Sequence, residues 1–287
     1  MEFTIISPRT RSELLDVIRK EKNFRFGAGC TDLLMELKKK PHANLTVINL
    51  SQIKDVQFSG FKKSAKGLRF GAMFTAHKIL MNEEIRNNYT ALHESAFNLA
   101  STQIRQVATV GGNLCTASPS GDIACALVAL DATCELLSTS GKSRNVIISD
   151  FFTGVRKTAL KKNEVLYGIS VPSKSKDTKD VFSNFIKVGT RRSMECSVVS
   201  LAYHIQVNKF GEIIKAGIAI GASAPTVRFA DSACKYLIGK KYKSISEKEK
   251  EEFAKKVLSY ASPITDIRAT AWYRKEVLFN ISKSIFH

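Results

Sequence analysis

Two short runs of small residues, about eighty positions apart, do most to limit the folds open to this chain. The first is Gly27-Ala28-Gly29-Cys30-Thr31-Asp32, set between the strand-like FRF and a helix-like run. The second is Thr109-Val110-Gly111-Gly112-Asn113, extended by Ser118-Pro119-Ser120-Gly121-Asp122. Glycine has no Cβ, so backbone N–H groups at such turns can converge on a ligand. A helix starting just after the turn adds the positive end of its dipole. Either run alone is more often an ordinary turn; two together suit a diphosphate gripped from both sides. Neither fits G-x-x-x-x-G-K-[ST], which excludes a P-loop, and neither gives G-x-G-x-x-G within a βαβ unit, which disfavours a Rossmann site. From the residues alone the reading stops at a dinucleotide binder of an uncommon type.

The rest of the chain reads as mixed structure. Thr10 and Glu13 form a capping box that opens a helix to about Lys20, with Leu14, Leu15 and Ile18 on one face. FRFGAG is a strand entering a glycine turn, followed by a short helix from Asp32 that stops before Pro41. LTVINL is a short buried strand. GLRFGAM is another, ahead of a helix capped at Thr75. A helix over 92–100 leads to the glycine loop ATVGGN. From Cys134 onward, CELLS, NVIIS and EVLYGISV look like short antiparallel strands. The polar stretch over 173–180, SKSKDTKD, is the best linker candidate. Three strand-like runs follow, FSNFIKV, SLAYHIQV and EIIKAGIAIG, then two closing helices, one opened by a capping box at Ser246 and Glu249 and one over 269–284. Strands and helices are partly segregated, which argues an α+β fold rather than regular βαβ units.

Composition narrows the function classes. With 287 residues, the chain has room for two domains. No apolar run approaches the roughly 20 residues that span a bilayer, so no membrane partner is expected. The first residues, MEFTIISPRTRSEL, do not read as a signal peptide, and a cytoplasmic location is the expectation. The six cysteines contain no C-x-x-C pair, and Cys115, Cys125 and Cys134 are spaced too widely for a zinc or ferredoxin site, so they read as reduced, small buried residues and no metal is expected on this chain. The formal net charge of +18 admits a nucleic acid, an anionic cofactor or an acidic partner. Its lysines, at Lys38–Lys40, Lys62–Lys63, Lys161–Lys162 and Lys240–Lys241, sit at turns without interleaved aromatics, which favours a solvated surface and no nucleic acid. His77, His93 and His204 stand in unrelated contexts and read as packing or surface residues.

AGCTDLL and TVGGNLCTASPSGD resemble the paired FAD segments of the xanthine dehydrogenase and carbon monoxide dehydrogenase flavoprotein family, whose patterns run AGGTDLL and TIGGN-x-x-x-ASP-x-x-D. The likeness continues through ALVALDA, DFFTGVRKTALKKNEVLYGISVP and FIKVGTRRSMECSVVS to YRKEV, and so covers nearly the whole chain in order. The resemblance implies a two-subdomain FAD-binding domain of the vanillyl-alcohol-oxidase type over 1–175, with subdomains about 1–55 and 56–175. A smaller α+β domain with a three-stranded antiparallel sheet would follow over 176–287. It implies an FAD-dependent electron-transfer subunit of a molybdenum hydroxylase, with xanthine dehydrogenase the expected enzyme. Electrons would pass from [2Fe-2S] clusters of a small partner through FAD to NAD. A large partner would carry molybdopterin, in a heterotrimer or its dimer. Open alternatives are a nicotinate, aldehyde or carbon monoxide dehydrogenase, a freestanding flavin oxidase, and a basic nucleic-acid-binding protein.

Residue by residue, the resemblance places Phe26, Gly27, Ala28, Gly29, Cys30, Thr31 and Asp32 around the FAD diphosphate, with the Thr31 hydroxyl as an added donor. Thr109, Gly111, Gly112 and Asn113 would form the opposing segment, with Cys115 and Ser118 beside it. Asp122 corresponds to a carboxylate that accepts hydrogen bonds from flavin-side hydroxyls, or it is a helix N-cap. Leu166 would pack on the isoalloxazine ring. Lys187 would lie at the carbonyl end of that ring and tune it, or be an exposed strand lysine. Arg191 and Arg192 would orient the site or belong to the surface. Three positions depart from the pattern: Cys30 replaces a glycine, Cys115 replaces an aliphatic residue, and Val155 stands where many relatives carry an aromatic associated with the nicotinamide site. There is no tight cysteine insertion of the kind that holds an extra [4Fe-4S] cluster.

Overall fold

The computed structural model describes residues 3–39, 44–191 and 194–286. The N-terminal sheet joins β1 (Phe3–Ile6), β2 (Phe24–Gly27) and β3 (Leu45–Asn49) in the order β1-β3-β2, all parallel. The central strand β3 is apolar along most of its length because it is covered on both faces. The helix Arg11–Lys20 links β1 to β2 and buries Leu14, Leu15 and Ile18, the face expected from their spacing. The Thr10 hydroxyl accepts from the Glu13 N–H, whereas the Glu13 carboxylate reaches back to the N–H of Arg9 rather than that of Thr10. The expected box is therefore half formed. The short helix after Asp32 is Leu33–Leu37, with Lys38 as its C-cap, and so ends before Pro41 as expected.

The second sheet is antiparallel and has the order β4-β5-β10-β6-β7, from β4 (Phe61–Ser64), β5 (Gly67–Gly71), β6 (Thr133–Ser138), β7 (Ser143–Ile147) and β10 (Glu164–Pro172). Its middle strand, β10, arrives last and pairs with β5 on one side and β6 on the other. A two-stranded ribbon, β8 (Phe152–Gly154) with β9 (Lys157–Thr158), precedes it. Six short helices lie between β5 and β6. The last, Asp122–Ala129, is buried at every residue, because the helix Thr90–Phe97 and the third sheet both pack against it.

That third sheet joins β11 (Asp180–Val188), β12 (Val199–Val207), β13 (Ile213–Gly221) and β14 (Arg228–Phe229), all antiparallel. It has four strands where three were expected. The extra strand is two residues long, too short to show the period-2 alternation by which strands are read. Helices Asp231–Leu237, Glu247–Leu258 and Ala271–Lys283 close a second apolar core around Phe253, Val257 and Leu278. The capping box at Ser246 and Glu249 is complete. The stretch over 173–180 is tied down where Gln206 accepts from the Ser175 N–H and the Thr178 hydroxyl. Among the described residues, no helix is long and apolar enough to cross a membrane.

Candidate functional site

The two small-residue segments meet. A Cβ at Gly29 would lie 2.0 Å from the carbonyl oxygen of Val107, just before the second segment, so only glycine lets the chains approach this closely. Farther along, the Thr116 hydroxyl and the Asp32 carboxylate are 3.5 Å apart. Cys30 adopts the left-handed conformation, φ 57°, which accounts for a glycine being the usual residue at this position of the pattern. Its thiol turns inward toward Leu33, Leu37, Leu45 and Val47, and burial pushes its pKa up. Among the described residues, no acceptor faces the N–H groups of Gly29, Cys30, Thr31 and Asp32, nor the Thr31 hydroxyl. Gly29, Cys30 and Thr31 are half-buried and Asp32 is exposed, and backbone donors out of full contact with water are rarely left unmatched. A row of four beside a glycine-only contact fits an anionic group such as a diphosphate. Phe26 is half-buried, edge-on to Phe24 at 5.2 Å, and Ala28 is half-buried beside it.

The second segment is built differently from the expected glycine loop. It is the first turn of the helix Val110–Thr116, capped by the Thr109 hydroxyl, which accepts from Gly112 at 3.0 Å. The N–H of Val110 donates to Phe74, that of Gly111 to Ala72, and that of Asn113 to Thr109. These donors are already engaged, so the segment contributes close approach rather than free N–H groups. A Cβ on Gly111 would fall 2.7 Å from the carbonyl oxygen of Ala72; one on Gly112 would meet only the Thr109 hydroxyl, at 2.9 Å, and otherwise open space. Asn113 uses its side-chain oxygen to accept from the N–H of Ala124 at 3.1 Å. It thereby caps the helix Asp122–Ala129, whose own N-cap, Gly121, has no side chain. Cys115 is exposed at this surface, and the Ser118 hydroxyl accepts from the Ser120 N–H.

Asp122 is not the helix N-cap that was its alternative reading; it is the first helical residue, 2% exposed, and makes no capping bond. Its carboxylate accepts from the Lys187 ammonium at 2.6 Å and the Ser197 hydroxyl at 2.7 Å. Burial raises its pKa, against the opposing pull of Lys187 and Ser197. Lys187 is likewise not an exposed strand lysine. Its side chain is 5% exposed, and it also donates to the Asn98 carbonyl at 3.0 Å. Leu166, at 2% exposed, sits in the apolar core rather than on an open face. Arg191 uses its N–H on Glu195; Arg192 lies outside the described residues. Val155 is exposed in the turn between β8 and β9. Asn98 and Ser197 went unnoticed in the sequence, since nothing local marks a hydroxyl or a carbonyl that meets its partner tens of residues away. No group of histidines, cysteines or carboxylates among the described residues is placed to hold a metal.

Residues 1–174 match the family model described as the FAD binding domain in molybdopterin dehydrogenase, and residues 184–287 match the CO dehydrogenase flavoprotein C-terminal domain. The chain belongs to this family of FAD-binding molybdenum hydroxylase subunits, and its cofactor is FAD. It is similar to the glyceraldehyde dehydrogenase medium chain of Sulfolobus acidocaldarius, 29% identical over 99% of this chain and 97% of that one. The nicotinate dehydrogenase FAD-subunit of Eubacterium barkeri is 30% identical over 73% of this chain and 71% of its own length. The Escherichia coli xanthine dehydrogenase FAD-binding subunit is 28% identical over 76% and 73%. Among solved structures, a carbon monoxide dehydrogenase chain from Hydrogenophaga pseudoflava superposes with a TM-score of 0.90 at 22% identity, covering 99% of this chain and 96% of that one. That likeness establishes the shared fold. Family membership favours the flavoprotein reading over the basic nucleic-acid-binding one.

Proposed function

We propose that this chain is the flavin-bearing electron-transfer subunit of a molybdenum hydroxylase, working beside a small [2Fe-2S] partner and a large molybdopterin partner. The observation that carries this reading is the meeting of the two segments, with four unmatched N–H groups at Gly29 to Asp32. Bound FAD supplies chemistry no side chain has, since it accepts electrons singly and releases them as a pair. The chain's own part is to hold and bias that group. The first segment's N–H groups and the Thr31 hydroxyl hold the diphosphate, and the open side of Gly112 admits it. The Asp122–Lys187 pair sets fixed charge at the flavin end, with Lys187 kept in place by Asn98 and Asp122. In this reading the flavin domain spans 1–175 and the second domain 176–287.

Substrate is chosen by the molybdenum partner. Xanthine is the expectation from family frequency, and the end-to-end match to a glyceraldehyde dehydrogenase medium chain favours an aldehyde as the second reading. NAD is the acceptor the resemblance implies; Val155, 53% exposed, offers no ring on which nicotinamide could stack, which favours a different acceptor. The test is the visible spectrum of the purified chain with identification of the released chromophore, followed by reduction of the bound flavin in the assembled complex by candidate aldehydes and by xanthine. Released FAD and substrate-dependent bleaching are expected. A colourless protein that refuses added FAD would overturn the reading, and bleaching by neither substrate class would remove both substrate assignments.

A further inference from the structure

The YRKEV segment near the C-terminus has no role in the site as described so far, yet its arginine is nearly inaccessible. Arg274 is 4% exposed. One guanidinium nitrogen donates to two carbonyl oxygens, those of Val198 at 2.7 Å and Ala222 at 2.9 Å, and the other donates to Asp266 at 2.8 Å. Val198 immediately precedes β12 and Ala222 immediately follows β13, so Arg274 closes the open end of this antiparallel pair. Its Nε is buried and unmatched among the described residues, a cost that a purely packing role would not call for.

Both tethers lead to the segment that ends at Asp122, one through the neighbour of Val198 and one through Ala222 itself. Ser197, next to Val198, donates its hydroxyl to Asp122 at 2.7 Å, and its carbonyl lies 3.5 Å from the Ser120 hydroxyl. Ala222, held in the left-handed conformation at φ 57°, donates its N–H to the Pro119 carbonyl at 2.7 Å. A single side chain thus fixes two arms that reach the Pro119–Asp122 stretch, and Asp122 in turn holds Lys187.

We propose that Arg274 is a positioning residue for the flavin site, acting on Asp122 and Lys187 through Val198–Ser197 and on Pro119 through Ala222. It touches neither cofactor nor substrate. The inference rests on the flavin-site reading above and deepens it: the second half of the chain sets the charge geometry that the first half presents to FAD.

The test compares Arg274→Gln, Ser197→Ala and their double variant in the full chain, with Lys275→Gln on the same helix as an exposed control. FAD affinity is read by fluorescence titration, the setting of the bound ring by visible circular dichroism, and folding by the thermal midpoint. Arg274→Gln is expected to weaken FAD binding by roughly tenfold and to change the flavin dichroism in the same sense as Ser197→Ala. The double variant is expected to lose less than the two singles combined, because the changes share one path. Arg274→Lys, whose one ammonium cannot hold both carbonyls and Asp266, keeps the question answerable should Arg274→Gln fail to fold; roughly threefold weaker binding is expected from it. A folded Arg274 variant with a lowered midpoint but wild-type FAD affinity and dichroism would reduce Arg274 to a structural residue and overturn the proposal. So would losses that add in full with Ser197→Ala. Wild-type protein that takes up no FAD would instead sink the flavin-site reading beneath it.

Discussion

At the scale of single residues, three glycines that look alike in sequence do different work. Gly29 is fixed by the carbonyl of Val107, Gly111 by Ala72, and Gly112 by neither. Gly111→Ala overpacks a buried contact and is expected to cost about 1–3 kcal/mol in urea unfolding. Gly112→Ala is expected to stay within about 1 kcal/mol of wild type, since the gain in helix propensity offsets crowding at the Thr109 hydroxyl. It places a methyl on the open side, however, and FAD titration should show weakened binding. Gly29→Ala pushes the two segments apart, so the purified variant should carry little FAD while its far-ultraviolet dichroism stays near wild type. Retention of full flavin content by Gly29→Ala would show that the contact with Val107 is not needed for the cradle.

Capping decides how the elements are aimed. The helix Asp122–Ala129 has no cap from its own N-cap residue and takes one from Asn113 in the preceding helix, so two consecutive helices are locked at one angle. Asn113→Ala is expected to cost about 1 kcal/mol, as is Ser246→Ala at the capping box of Glu247–Leu258. The two should part in FAD titration. Losing Asn113 lets the start of the helix, and Asp122 with it, move and weakens binding; losing Ser246 leaves binding unchanged. Equal effects on FAD from both variants would mean that stability alone, rather than the aim of Asp122, governs the site.

At the scale of the whole molecule, a buried polar contact between neighbouring strands of the third sheet gives folding a pH dependence. His204 of β12 is 8% exposed, contacts the Ser183 hydroxyl and the Gln206 amide, and burial pushes its pKa down to about 4. The folded state binds this proton less readily than the unfolded chain does. The stability this neutral imidazole supports is therefore complete above the ordinary histidine range and is lost as pH falls through about 4. Urea midpoints measured between neutral pH and about 4 should fall more steeply for wild type than for His204→Gln; parallel curves would assign the acid sensitivity to other groups.

How much of this was legible in the chain follows from the range of the forces involved. Caps at Thr10 and Ser246, the buried face of Leu14, Leu15 and Ile18, and the covered strand β3 depend on neighbours within a few residues, so local pattern was enough to place them. The two small-residue runs and the order of motifs were enough for the family and for FAD. Local pattern could not tell that ATVGGN is a helix start, because its cap is completed by carbonyls of Ala72 and Phe74 supplied from a distant turn. Nor could it show that Lys187 and Asp122 are buried together, that Asn98 and Ser197 complete their shell, or that Arg274 secures the residues around it. Those partners lie tens of residues apart, and a charge survives burial only where the fold brings its counter-charge and hydrogen bonds to it. Sequence pattern reaches as far as adjacent turns; the electrostatics of this site exist only once β12 and β13 have packed against the helix that begins at Asp122, with β11 bringing Lys187 and the closing helix set against β12.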